Sequence, residues 1–427
     1  MSDFQPFIMA HVNTEKQFPV TDCVRLSGQN TYLVLWWRNF PLCHYFIYEE
    51  DSYDGAALLP KLYEAMLPTL RHYADVQHIP IDETVQQIWL GQQQDKWNSF
   101  ADGIFVVNGP LLFSPGQVSV VICTRNRSVY LKSCLQRLLQ QQHKPLEIIV
   151  VDNAPTDNLT KEVVASFPGV QYCLESRPGL DFARNAGAKA ATGSIIAYTD
   201  DDAVLDSLWT YYMAQAFNRD NVMGVTGLIF AEEITGMAQL VFESFWTFNR
   251  GYLFKDYDAA WFNAHVQEGA PAWEIGAGAS MAFRREIFSK IGYFDERLDV
   301  GAAGCNGDSE YWYRILASGY TIRYTPLAVA YHQHRREMKA LKRQIFYYMR
   351  GFTAALYIQH ERFGHKGNLR HLYRKLLPWY LRIFPKALRS RFTYNYSTYI
   401  PELNGIVSGL FFYYRNRMPL KNKKQSS

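Results

Sequence analysis

The segment GSIIAYTDDDAVLD, residues 193–206, ends a strand-like run on three successive carboxylates, Asp200, Asp201 and Asp202. Like charges this close repel one another, so the cluster is costly unless a cation or a set of donors shares its corner. Carboxylate oxygens are the preferred ligands of hard divalent ions, which makes metal binding the chemistry expected there. The plainer alternative is an exposed acidic turn that caps the next helix. Far along the chain, YHQHRRE sets His332 and His334 two residues apart, so both face one side of an extended segment. An isolated pair of this kind is more often structural than ligating. GAGASMAFRR, residues 276–285, has the small residues that let backbone approach a sugar closely, and equally those of an ordinary turn.

These groups need elements to position them. VSVVICT (118–124), LEIIVVD (146–152), VQYCLES (170–176) and SIIAYTDDD (194–202) are apolar, β-branched runs. Between them lie the helical patterns SVYLKSCLQRLLQQQ, with Leu131, Leu135, Leu138 and Leu139 on one face, LTKEVVASF, and GLDFARNAGAKAA. Strands apolar on both faces and separated by helices predict an α/β, doubly wound, mostly parallel sheet. In such sheets ligands bind beyond the carboxyl ends of the strands. Those ends read TRNR, DNAPTD, ESRPGLD and TDDD. Arginines, an acidic group able to take a ribose or base N–H, and a carboxylate cluster suit a nucleotide diphosphate held through a divalent metal. Neither GxGxxG nor GxxxxGK[ST] occurs, which disfavours a dinucleotide fold or a P-loop.

From about Val118 to Glu337 the chain resembles the inverting family-2 glycosyltransferases with the GT-A fold. The resemblance is carried in order by VSVVICTRNR, IIVVDNAPTD, RPGLDFARNAG, AYTDDDAV, GAGASMAFRREIFSKIGYFDERL, GDSEYWYRI and YHQHRRE. It implies that Thr124, Arg125 and Asn126 border a nucleotide, that Asp152 lies near its base, and that Arg177 and Arg184 lie near the ring or the phosphates. The aspartate triplet aligns with the family's DxD element. Asp200 then faces the ribose or sugar, Asp202 ligates Mg2+ or Mn2+ with help from Asp200 and His332, and Asp201 belongs to the same element. Gly278 falls in a floor under donor sugar and acceptor. An inverting transfer needs a carboxylate to take the acceptor proton. By motif that is Asp308, with Glu310 at the second acidic place, near acceptor or donor sugar, and Arg314 closing it, while Gly307 stands where the family usually has glutamate. As a plain helix start, the same aspartate would only cap.

The implied activity is metal-assisted transfer from a nucleotide-diphosphate sugar to a hydroxyl on a glycan or lipid-linked acceptor. Two other readings stay open. The chain could be a noncatalytic nucleotide-sugar or glycan-binding scaffold at a membrane, or a nucleotidyltransferase, which would leave Asp308 without work.

The net charge of +4 hides a division: residues 335–427 carry 20 Lys/Arg against 3 acidic residues, the first 334 carry 24 against 37. The basic tail reads as aromatic and apolar helices, which predicts contact with an anionic membrane surface rather than nucleic acid. Three regions are expected: an N-terminal accessory region (1–113), a GT-A domain (114–337) and a basic helical region (338–427). Six scattered cysteines without CxxC, no secretory pattern at the start, and no apolar window near ~18 residues predict a cytoplasmic protein, peripheral on the membrane.

Overall fold

The computed structural model describes residues 4–16, 29–51, 55–106 and 112–417. Among them are twelve strands: β1 Ile8–Asn13, β2 Thr31–Trp37, β3 Phe40–Ile47, β4 Val118–Thr124, β5 Glu147–Asn153, β6 Val170–Glu175, β7 Ile195–Asp200, β8 Ala203–Leu205, β9 Val222–Ala231, β10 Lys255–Tyr257, β11 Ser280–Arg284 and β12 Thr321–His332. The first three form a small sheet, and the rest form one nine-stranded sheet in the order β10-β12-β9-β11-β7-β4-β5-β6, with β8 paired to β12.

The block β7-β4-β5-β6 is parallel throughout. Alternate residues of these strands enter two separate apolar clusters. Val120, Ile122, Ile148, Val150 and Ala197 belong to one, and Val121, Ile149, Val151, Ile196 and Tyr198 to the other. Both faces are therefore covered, which is why the runs read as continuously apolar. The helix Ser128–Leu138 buries Leu131, Cys134, Leu135 and Leu138. Leu139, expected on that face, is exposed because the helix has ended at its position.

Beyond this block the sheet changes character. β11 runs antiparallel to both β7 and β9, and β12 is parallel to β9 but antiparallel to β8 and β10. The sequence order across β6-β5-β4-β7 reverses direction between β4 and β7, creating the crevice where α/β sheets bind ligands. Register sets what lies there: Thr124 is opposite Asp152 and Cys123 opposite Asp200.

The small sheet is joined to the large one. Phe7 donates its N–H to Ile234 O at 2.8 Å, and the Tyr32 hydroxyl donates to Glu243 in the interior at 3.2 Å. Val12, Leu33 and Trp37 share a single apolar cluster with Val118 and Val120. At the other end, the helix Met338–Phe363 is tied to the loop before the helix Gly307–Ala317 by Asp295, whose carboxylate accepts from Arg297 and from Arg362 at 2.8 and 2.9 Å. The described cysteines, Cys43, Cys123, Cys134, Cys173 and Cys305, are all unpaired, and the terminal KNKK run lies outside the described residues.

Candidate active site

At the end of β7 the chain turns straight into β8, and β8 pairs antiparallel with β12 so that Ala203 is opposite His332. That pairing draws the imidazole to the aspartates. His332 Nε2 lies 3.3 Å from Asp202 Oδ1 and 3.8 Å from Asp200 Oδ2, and one ligand atom from each of the three residues falls within 4.8 Å of the others. Two carboxylate oxygens and an imidazole nitrogen make a donor set suited to a divalent ion. Buried His332 Nδ1 has no hydrogen-bond partner. Burial favours neutral His332, but Asp202 and Asp200 outweigh it and raise its pKa. Burial also opposes charge on Asp202, yet His332 and Arg127 hold its carboxyl well below the usual range.

Asp201 points elsewhere. It accepts from Thr124 Oγ1 at 2.7 Å and pairs with Arg127 Nη1 at 2.9 Å, while Arg127 Nη2 reaches Asp202 at 2.6 Å. Burial, aided by repulsion from Asp202, pushes Asp201 up to about 7 against the pull of Arg127. The three adjacent charges thus divide between an arginine and an imidazole. His334 is placed differently from His332: its Nε2 lies 3.1 Å from Glu243, the same carboxylate that takes the Tyr32 hydroxyl.

A second acidic group stands at the start of the helix Gly307–Ala317. Asn306, in the left-handed region at φ 73°, turns the chain into that helix. Asp308 Oδ1 accepts from its neighbour Ser309 N at 2.6 Å and makes no bond that caps a later turn. Burial raises the Asp308 pKa, Arg184 opposes this, and Asp299 adds to it. Arg184 is buried and donates to Asp181 at 3.0 Å and Asp299 at 2.6 Å. Its positive charge is felt by both Asp200 and Asp308, linking the two carboxylate groups. Gly278 lies against the same pair: a Cβ there would sit 2.7 Å from Arg184 Nη2 and 3.1 Å from Asp308 Oδ2. Only a residue without a side chain leaves both in place.

The remaining candidates surround this crevice unevenly. Arg125 is exposed, and Asn126, at φ 54°, accepts from Thr156 N across the β4 and β5 ends at 3.0 Å. Asp152 is fully buried, takes the Tyr172 hydroxyl at 2.9 Å, and leaves Oδ1 without a partner. Arg177 makes a two-pronged pair with Glu175 and stacks over Phe182 at 4.4 Å. Glu310 is 0% exposed and bound to Arg314 at 2.9 Å, so it presents no surface to a ligand.

The sequence pattern described as Glycosyl transferase family 2 matches residues 119–292, which span β4 to the helix after β11. Residues 119–292 match the family-2 glycosyltransferases. Among curated relatives, a glucosyl-dolichyl phosphate glucuronosyltransferase of Haloferax volcanii is 24% identical over 186 residues, 42% of this chain and 56% of the relative. An uncharacterised glycosyltransferase of Escherichia coli, YibD, is 30% identical over 114 residues, 26% of this chain and 33% of the relative. The chain thus spans about half the length, or less, of these relatives. Among solved structures, a mannosyltransferase from Pyrobaculum calidifontis in complex with GDP-Man and Mn2+ superposes with a TM-score of 0.49 at 17% identity, covering 73% of this chain and 90% of that one.

Around the candidate site the structure adds three residues that the sequence did not single out: Arg127, Asp181 and Asp299. The first was visible as the last residue of TRNR. Asp181 explains the departure at Gly307, because a Cβ on Gly307 would run into the Asp181 carboxylate. The space a glutamate side chain would leave by is already filled by another acid. Asp299 carried no local signal; a left-handed turn at φ 61° brings it to Arg184.

Proposed function

We propose that the protein transfers a sugar from a nucleotide-diphosphate donor to a hydroxyl acceptor with inversion at the anomeric carbon. The observation that carries this reading is the convergence at one sheet edge of the Asp200, Asp202 and His332 ligand atoms, linked through the field of Arg184 to Asp308. Asp200, Asp202 and His332 would hold Mg2+ or Mn2+, and the mutual approach of two carboxylate oxygens and an imidazole nitrogen fits that role. Such an ion supplies Lewis-acid neutralisation of the departing diphosphate.

The chain's own groups do the rest. Asp308 takes the proton as the acceptor oxygen bonds to the anomeric carbon and the bond to the diphosphate oxygen breaks on the opposite face. Its raised pKa makes it a better proton acceptor than an ordinary aspartate. Arg184, fixed by two carboxylates, keeps the anionic form of Asp308 tolerable. Thr124, Arg125, Asn126 and Arg177 border the nucleotide, and Asp152, buried opposite Thr124 and bonded to the Tyr172 hydroxyl, supports that edge from within. Gly278 gives the sugar room beside Arg184 and Asp308. The acceptor is a glycan or lipid-linked glycan presented at the cytoplasmic face of a membrane. Asp181 in the space beside Gly307 weighs against a noncatalytic scaffold, since the acidic surroundings of Asp308 are kept.

Asp308→Asn tests the reading. Nucleotide-diphosphate binding by titration calorimetry should be unchanged, and transfer should fall by about two to four powers of ten. Near-normal turnover would assign the base elsewhere.

A further inference from the structure

The chain continues past the sheet into a run of helical turns, Gly367–Arg370, His371–Leu376 and Leu377–Arg389, followed by the helix Tyr399–Asn416. The segment Leu377–Arg389 carries three distinct stripes. Tyr380, Ile383 and Ala387, spaced i, i+3, i+7, pack inward with Tyr399 and Ile406. Leu381, Phe384 and Leu388, spaced i, i+3, i+7, form a second apolar stripe, 76%, 44% and 56% exposed, while Leu377 packs on the inner cluster. Arg382, Lys386 and Arg389, spaced i, i+4, i+7, form a third, all exposed and none in an ion pair among the described residues. The helix Tyr399–Asn416 likewise exposes Val407 and Phe411, at 54% and 70%.

A helix that packs one apolar face on its own domain has no need of another. Exposing that second face costs about 25 cal/mol for each Å2 of apolar surface left in water. Its other border is cationic, and the sequence has no acidic residue between Glu361 and Glu402. Apolar stripe and basic stripe side by side are what an anionic bilayer surface satisfies together, the first entering the acyl boundary and the second meeting the headgroups. A second copy of this chain would bring its own basic tail to the same place, and a nucleic acid would leave the leucines in water. No helix among the described residues is long and apolar enough to cross a membrane.

We propose that the face of Leu377–Arg389 bearing Leu381, Phe384 and Leu388, bordered by Arg382, Lys386 and Arg389, lies in the headgroup region of an anionic lipid bilayer. The inference stands apart from the transfer chemistry. It concerns the orientation of the whole molecule: with this helix in the interface, the loops and helices packed on its inner face are held at a fixed distance from lipid.

The test is co-sedimentation of the full chain with vesicles of phosphatidylcholine alone and with a third phosphatidylglycerol, in 0.1 M and 0.5 M NaCl. The wild-type chain should pellet with the anionic vesicles at low salt and be largely released at high salt. Arg382→Gln/Lys386→Gln/Arg389→Gln should weaken binding on the order of 100-fold. Leu381→Gln/Phe384→Gln/Leu388→Gln should weaken it at least as much, with the melting temperature held within a few degrees because these side chains face outward. Asp308→Asn should bind vesicles like the wild type, so failure of the proposed chemistry would not disturb this result. Three outcomes would overturn the proposal: no pelleting at low salt, pelleting that both triple variants retain, or a concentration-dependent dimer abolished by the leucine variant while vesicle binding persists.

Discussion

Three aspartates in a row are stable at the end of β7 because each has a different neighbour. Asp201 belongs to Thr124 and Arg127, Asp202 is shared between Arg127 and His332, and Asp200 is partly open to solvent. Arg127 is therefore the chain's own counter-charge to this cluster. Arg127→Ala should lower the melting temperature without metal by an amount corresponding to about 1–2 kcal/mol, discounted for the partial exposure of the guanidinium, and added Mn2+ should restore more stability than in the wild type. Equal Mn2+ responses in a thermal-shift titration would contradict this. At the base, Gly307→Glu places a side chain where Asp181 already stands. Transfer should fall by about tenfold or more, and the reciprocal variant Gly307→Glu/Asp181→Gly should recover part of it. If the double variant is no better than the single, measured by initial rates, the two positions are not exchangeable.

Elements decide which of these residues can meet. β8 is three residues long, yet its pairing with β12 is what carries His332 across to a turn more than a hundred residues earlier. Docking of the helix Met338–Phe363 depends on a carboxylate in the same way. Burial alone would raise the Asp295 pKa, but Arg297 and then Arg362 reverse this and hold it below the ordinary value. A depressed folded-state pKa contributes stability that is fully present above the unfolded value of about 3.9 and is lost as pH falls through the folded one. Asp295→Asn should thus be less stable than the wild type at pH 6 by about 1–3 kcal/mol, and the gap should close below pH 4. Melting curves from pH 3 to pH 6 would show it, and a gap independent of pH would rule the carboxylate charge out as its source.

At the scale of the molecule, the N-terminal sheet reaches the candidate metal centre through a chain of contacts. The Tyr32 hydroxyl donates to Glu243, Glu243 meets His334, and the His334 ring lies 5.5 Å from the His332 ring, with Phe248 against both. Outer partners of metal ligands commonly matter by one to two powers of ten in affinity. Tyr32→Phe keeps the packing and removes one donor at two residues' remove, so a smaller loss, about two- to fivefold in Mn2+ affinity, is expected by calorimetry with little change in melting temperature. An unchanged affinity would show that the N-terminal sheet supports the core alone.

What could be read from the sequence was whatever depends on near neighbours. Apolar runs of seven residues marked β4 and β5, the spacing of apolar positions marked the helices between them, and the strand ends marked the edge at which the candidate site lies, because alternation and capping are local physics. Hidden from it were the relations made by register and by long-range turns. His332 rather than His334 faces the aspartates because β12 ends at His332, opposite Ala203, while His334 lies past the strand and meets Glu243. The same holds for Asp181 standing beside Gly307, Asp299 reaching Arg184, and Glu310 turned into the core: each depends on where two distant backbones come to rest, and that follows from the packing of the whole core, which no single stretch of sequence contains.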